Sequence, residues 1–259
     1  MERSKSKTKR NETTISKKLE KIKLTKTKKS RSKSKKKSKK EDDAYPTTSI
    51  LVTPSKYAAV GPIRIRLGLC CLNNYLKEKK PSIFSSRGMV LATYKSKGSK
   101  EAIERGLKNV QDILKMLEWN KAHHIECFRL SSDLFPHYTN LRHIEEEDRY
   151  ELSFAKDDLK KAGDFAKKNG MRITTHPGQF NVIASADEVI FENTKADLKM
   201  HADVLDMMGL DNNSIIVIHG GGTYGNKEET IKRWMVNFRR LPDNVQRRLV
   251  LENCEKNFS

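Results

Sequence analysis

Five short runs of β-branched and other apolar residues punctuate the chain, at residues 63–71, 125–132, 171–176, 214–219 and 248–253. Those at 171–176, 214–219 and 248–253 read as buried parallel strands, covered on both faces, and the other two as strand candidates. Between them the apolar positions change to a spacing of three and four. Ile103, Leu107, Val110, Ile113, Leu114 and Leu117 form one stripe and predict a helix over 100–119. Leu152, Ala155, Leu159, Ala162, Phe165 and Ala166 do the same over 150–168, where Asn169-Gly170 supplies a stop. Two further helices are expected over 192–208, ended by Gly209, and over 227–240, presenting Ile231, Trp234, Met235 and Phe238 to a core.

Strand and helix thus alternate through about five βα units, the order of an α/β fold with a parallel sheet. Right-handed crossovers put all five strand ends on one face of that sheet. An eight-stranded barrel takes about 250 residues of its own, and only residues 63–259 carry the pattern. The expectation is therefore a TIM-barrel-like domain that is incomplete, with an open sheet as the other arrangement of the same units.

Charge separates this domain from what precedes it. The formal net charge is +19, but residues 1–40 hold 19 Lys or Arg against 3 Glu, so the rest is close to balanced. A segment so rich in Lys and Ser cannot bury enough apolar surface to offset its ordering entropy. Residues 1–45 are accordingly read as a disordered tail and 46–62, with Pro46, Pro54 and the boundary at Pro62, as a linker. The tail has the composition of a nuclear-import signal, of a sequence-blind phosphate-binding arm, or of a plain solvated extension.

No stretch resembles a secretory leader or a membrane span, which points to an intracellular protein and leaves the glycosylation-type triplets at Asn11 and Asn212 idle. Cys70, Cys71, Cys127 and Cys254 lack CxxC spacing, so reduced thiols are expected rather than a disulfide frame or a zinc knuckle.

Candidate chemistry collects where the strands end: Asn73, Ser131, His176, His219 and Glu252. In βα folds that rim is where ligands bind. Two imidazoles and a carboxylate converging there are well satisfied by a divalent cation, and Glu252 has oxygens enough to bridge two. Taken singly, each residue is as well explained by hydrogen bonding or capping. Gly220-Gly221-Gly222-Thr223-Tyr224-Gly225 matches neither a P-loop nor a dinucleotide fingerprint, and is read first as a turn and second as a phosphate cradle. His176-Pro177-Gly178-Gln179-Phe180 is less ordinary. Pro-Gly forces a turn directly after the histidine, and either thrusts Gln179 and Phe180 outward as a wedge for stacked bases or folds Phe180 under the loop as packing.

These motifs carry a resemblance. Ile65-Arg66-Leu67-Gly68 with Cys71 and Asn73, the run from Phe128 to Pro136, the His176 loop, Ile218-His219-Gly220-Gly221 and Leu251-Glu252-Asn253 resemble, in order and spacing, the UV damage endonuclease family. The resemblance implies a TIM-barrel nuclease that nicks damaged double-stranded DNA immediately 5′ of pyrimidine dimers and other distorting lesions. It implies His176, His219 and Glu252 as metal ligands, Glu252 also as a catalytic group, Gln179 and Phe180 as the pair that probes the helix, and Asn73 as a DNA contact. The implied cofactor is a cluster of divalent ions, manganese by type, with magnesium or zinc as substitutes. Leu69 stands where the family carries an aromatic residue, and Phe180 where tyrosine is common. The chain also ends before the family's later His, Asp, Glu and Lys positions, which implies a truncated enzyme or one completed by a second polypeptide. The remaining alternatives are a catalytically inactive DNA-binding protein and another metal-dependent barrel enzyme, an abasic-site endonuclease or a sugar isomerase.

Overall fold

A computed structural model describes residues 65–252. The tail and linker expected over 1–62, together with Asn253 and Cys254, lie outside the described residues. Five strands form a single sheet: β1 (Leu67–Cys70), β2 (Ile125–Leu130), β3 (Arg172–Thr175), β4 (Ile216–Ile218) and β5 (Leu249–Leu251). The order is β1-β2-β3-β4-β5 and every pair is parallel. Each strand therefore lies beside its neighbour in sequence, and the connections never reverse direction. A doubly wound sheet needs such a reversal. Steps taken always the same way, each right-handed, keep the helices on one face and leave the other concave. This is the wall of a TIM-barrel-like fold, four βα units and a fifth strand long among the described residues.

The helices are α1 (Asn74–Glu78), α2 (Leu91–Ala122), α3 (Lys156–Lys168), α4 (Glu188–Met207), α5 (Lys227–Phe238) and α6 (Asp243–Gln246). The expected stripes face the core: Val110, Ile113 and Leu117 of α2, Leu159, Ala162 and Ala166 of α3, and Leu198 and Leu205 of α4 pack with Phe128, Leu130, Ile173, Ile216 and Ile218. Boundaries moved where caps decide them. Asp187 accepts from the N–H groups of Val189 and Ile190 and starts α4 four residues ahead of the apolar stripe. Upstream of residue 100, α2 continues to Leu91 across a break at Gly98 (φ 71°). In place of the first turn expected near residue 150, a 3-10 turn occupies Ser153–Ala155. Helices α1 and α6 are too short to show a period and have no counterpart in the sequence reading.

One face was misjudged. Ile231 and Met235 of α5, expected in the core, are exposed, as is Val236. On one side helix α5 is anchored by hydrogen bonds: Arg233 donates to the Ala184 carbonyl (3.2 Å) and Asn237 to that of Ile183 (2.8 Å). Trp234 and Phe238 stack against each other and pack on the core, with ring centroids 5.3 Å apart. No described element covers the opposite side, and Val250 and Leu251 of β5 are also exposed.

Where two helices meet without a spacer, glycine permits it. A Cβ on Gly163 of α3 would stand 1.8 Å from the carbonyl oxygen of Met208, at the end of α4. That oxygen is backbone and cannot swing aside. Gly163→Ala is expected to lower stability by about 3 kcal/mol or more, measured by denaturant unfolding. A loss near zero would mean that α3 and α4 do not approach so closely.

Candidate metal centre and probe loop

His176, His219 and Glu252 are each the first residue past a strand, β3, β4 and β5 respectively. Ile218 and Leu251 are partners in register, and the Glu252 N–H donates to the Ile218 carbonyl at 2.8 Å, which sets Glu252 beside His219. His176 comes from farther off. Strands two apart in a sheet stand about 9–10 Å from each other, a gap bridged only by side chains leaning over the same concave end. They do lean there. His176 Nε2 lies 3.0 Å and His219 Nδ1 3.6 Å from Glu252 Oε2, and the two rings are 4.9 Å apart, edge to face. One potential ligand atom from each of the three residues falls within 4.8 Å of the others.

The protonation pattern is informative. His176 Nδ1 faces the carbonyl oxygen of Pro177 at 3.1 Å, which accepts in the tautomer protonated at Nδ1. In the neutral ring Nε2 then presents a lone pair toward the carboxylate. Two lone pairs 3.0 Å apart need a positive centre, either a proton or a cation. Donors about 2.0–2.2 Å from a shared tetrahedral ion are separated by about 3.3–3.6 Å, near the 3.0 and 3.6 Å found here, and a carbonyl holding the far nitrogen is the usual support of a ligating histidine. The donor set fits a divalent cation. In the tautomer protonated at Nε2 the same contact is a hydrogen bond donated to Glu252, which, helped by the fields of His219 and Arg129, holds the carboxyl below its ordinary range. The sign follows: the carboxylate's contribution to stability is complete above the unfolded-state pKa and is lost only as pH falls through the lowered folded value.

The loop after β3 is held from behind. Asn181, buried, donates from Nδ2 to the Gly178 carbonyl (3.0 Å) and to Asp197 Oδ2 (2.8 Å), and its own N–H donates to the same carbonyl. Asp197 of α4 also accepts from Thr139 (2.7 Å), so one buried carboxylate ties down the loops after β2 and β3. Thr175 meets His201 Nδ1 at 2.7 Å, while His201 Nε2 stands 3.7 Å from Asp197 without a hydrogen bond. Burial depresses the His201 pKa, with Asp197 pulling the other way. Sequence reasoning passed over Asp197 and Asn181. The visible sign was Asp197 and His201 one helical turn apart in the segment expected as a helix.

Held this way, the turn presents Gln179 and Phe180 to solvent, Phe180 with 66% of its surface exposed. Both sequence readings of Phe180 have a part in this, because the exposed ring lies back over Gly178, where a Cβ would come within 2.4 Å of Cε1. Beside it opens a cavity of about 550 Å³ lined by Asp133, His137, Phe180, Asp197 and Met200 among others. Asn73 is placed differently from the other expected site residues. It is 4% exposed and caps α1 through Oδ1, accepting from the Leu76 N–H at 3.0 Å, and its Nδ2 has no partner. Ser131 turns inward to accept from the Asp133 N–H. In the Gly220–Gly225 segment, Gly221 and Gly225 adopt φ of 82° and 80°, which suits the turn reading.

The family model of UV-endonuclease UvdE matches residues 65–259. The chain belongs to this family. A UvdE relative from Acanthamoeba polyphaga mimivirus is 41% identical over 196 residues, covering 75% of this chain and 58% of its own length. The UV-damage endonuclease of Schizosaccharomyces pombe is 38% identical over 202 residues, covering 76% of this chain and 33% of its own. The crystal structure of SacUVDE superposes with a TM-score of 0.65 at 31% identity, over 75% of this chain and 62% of that one. The chain thus spans between a third and two thirds of these UvdE proteins. No helix among the described residues is long and apolar enough to cross a membrane.

Two substitutions probe the loop. Asn181→Ala removes both side-chain bonds and leaves Asp197 short of a donor, so stability should fall by about 1–3 kcal/mol and amide exchange at residues 178–181 should quicken. Gly178→Ala should displace the Phe180 ring, read from its NMR ring-proton shifts, while changing stability by less than about 1 kcal/mol, since an exposed ring is free to move.

Proposed function

We propose that this UvdE chain is the site-bearing portion of a DNA repair endonuclease that cuts the backbone immediately 5′ of UV-induced pyrimidine dimers and other helix-distorting lesions, with metal assistance. The observation that carries the reading is the arrangement of one short segment. His176 faces Glu252 and His219, and the third and fourth residues after it, Gln179 and Phe180, project from the same end of the sheet. Cutting and sensing are thereby joined through a single buttressed turn.

Each residue then has a task. His176, His219 and Glu252 would hold a divalent cation, manganese by family type. Such an ion, when bound, supplies Lewis acidity toward a phosphate and acidifies water near neutral pH. Glu252, kept ionised by its neighbours, is available as a ligand and as a proton acceptor. Arg129, whose field reaches Glu252, adds positive charge where a phosphate would approach. Gln179 and Phe180 enter the stack. A lesion has already weakened pairing there, so displacement costs less than in intact duplex, and the ring replaces part of the stacking lost. Asn73, whose side chain is buried as the cap of α1, would act on the damaged strand by holding that turn at the end of β1. The basic segment over 1–45 would add salt-sensitive affinity independent of sequence.

The test uses the full chain with manganese on three duplexes: dimer-bearing, abasic and undamaged. Incision 5′ of the dimer is expected, with a drop of about a hundredfold or more in His176→Ala and in Glu252→Gln. Incision at the abasic site alone would instead assign an abasic-site endonuclease. Binding without any nick, where manganese affinity is intact, would assign a DNA-binding protein. Gln179→Ala combined with Phe180→Ala should erode lesion preference more than affinity for undamaged DNA, by about 1–3 kcal/mol per lost stack. Equal losses on both substrates would remove the wedge from the mechanism.

A further inference from the structure

At the end of β1 lies a pair of thiols that the proposed reaction does not use. Cys70 is the last residue of the strand and Cys71 follows it. In extended backbone, adjacent side chains leave opposite faces of a sheet, so neighbouring cysteines are kept apart. Here Cys71 adopts φ 58°, a left-handed conformation rare for a residue bearing a side chain. The turn brings its thiol round to the same side as Cys70, and the sulfurs stand 3.6 Å apart.

The surroundings sustain this conformation. The Cys71 N–H donates to the Arg129 carbonyl at 2.9 Å, and its thiol faces the Leu130 carbonyl at 3.6 Å. Arg129, paired in register with Cys70 from β2, directs Nη2 toward the Cys70 sulfur. Cys70 is exposed and Cys71 half-buried, and burial pushes the Cys71 thiol up. An accessible sulfur beside a guanidinium, backed by a second thiol within reach, is the layout of a two-cysteine oxidation site.

We propose that Cys70–Cys71 is a reversible oxidation site for hydroperoxides, a role that stands apart from the nuclease reading. The Cys70 sulfur, having released its proton, attacks one peroxide oxygen. The S–O bond forms, the O–O bond breaks, and the departing oxygen takes up a proton as water or alcohol. Arg129 lies where negative charge gathers on that oxygen. The Cys71 sulfur then attacks the Cys70 sulfenic acid: an S–S bond forms, the S–O bond breaks, and the oxygen leaves as a second water with the Cys71 proton. Two thiols are oxidised and one peroxide is reduced. The ring closes through a single peptide, whose Cα atoms are about 3.8 Å apart, short of the roughly 4.4–6.8 Å of an ordinary disulfide. The product is strained and readily reduced, as suits a switch rather than a structural crosslink.

The experiment exposes the full chain to hydrogen peroxide, then alkylates it and maps each cysteine by mass spectrometry. Expected is a monomer lighter by two hydrogens, with Cys70 and Cys71 both protected, Cys127 and Cys254 alkylated, and full reversal by dithiothreitol. Cys71→Ser should stop at a dimedone-reactive sulfenic acid on Cys70. Arg129→Gln should slow the first step by about tenfold, the order of the effect of a neighbouring cation on thiol reactivity. Protection of Cys127 or Cys254 to the same extent, a crosslinked dimer, or sulfinic acid on Cys70 beside a free Cys71 would each overturn the proposal.

Discussion

Convergence of strand ends on the concave side of one sheet is the constraint on which everything else in this molecule depends. Because β1 to β5 lie in sequence order and all run parallel, the residues that follow them emerge at one end and on one side. His176 and Glu252 are separated by a whole strand, yet they meet at 3.0 Å. A flat sheet would hold them apart. In a curved one, the end of β3 leans over β4 toward β5, and the three side chains point into a shared space. Curvature in turn requires helices packed closely on the convex side, and this is the structural meaning of the contact between Gly163 and Met208.

A second layer explains why the probe loop has a definite shape. Residues 176–181 carry a histidine, two exposed side chains and a turn, a combination that has little packing of its own. Order is imported from α4, where Asp197 accepts from Asn181 and Thr139 and His201 meets Thr175. A buried carboxylate is costly unless satisfied, and satisfying it fixes two loops at once. The backbone beneath Gln179 and Phe180 is therefore held in place while both side chains face solvent.

The same end of the sheet accommodates a different chemistry at β1, separated from His176 by β2. Arg129 stands between the two, touching the Cys70 sulfur on one side and contributing its field to Glu252 on the other. The left-handed turn at Cys71 is a local cost that the neighbouring carbonyls of β2 sustain, and strained backbone is most often found where it positions reactive groups.

Much of this was legible in the chain itself. Apolar runs and stripes marked all five strands and four of the helices, because burial on two faces or along one stripe leaves a periodic trace. The His176, His219 and Glu252 positions stood out because each directly follows such a run. Sequence could not show the short α1 and α6, which hold no full period, or the exposure of Ile231 and Met235, since an amphipathic face does not state what covers it. Nor did it show that Asn73 would be absorbed as a cap, or that Cys70 and Cys71 would share a side. Periodicity is a local property and survives in one dimension. Distances between groups 76 residues apart, the satisfaction of Asp197 by two loops and the handedness of a single backbone angle are decided by packing, and only the folded chain contains them.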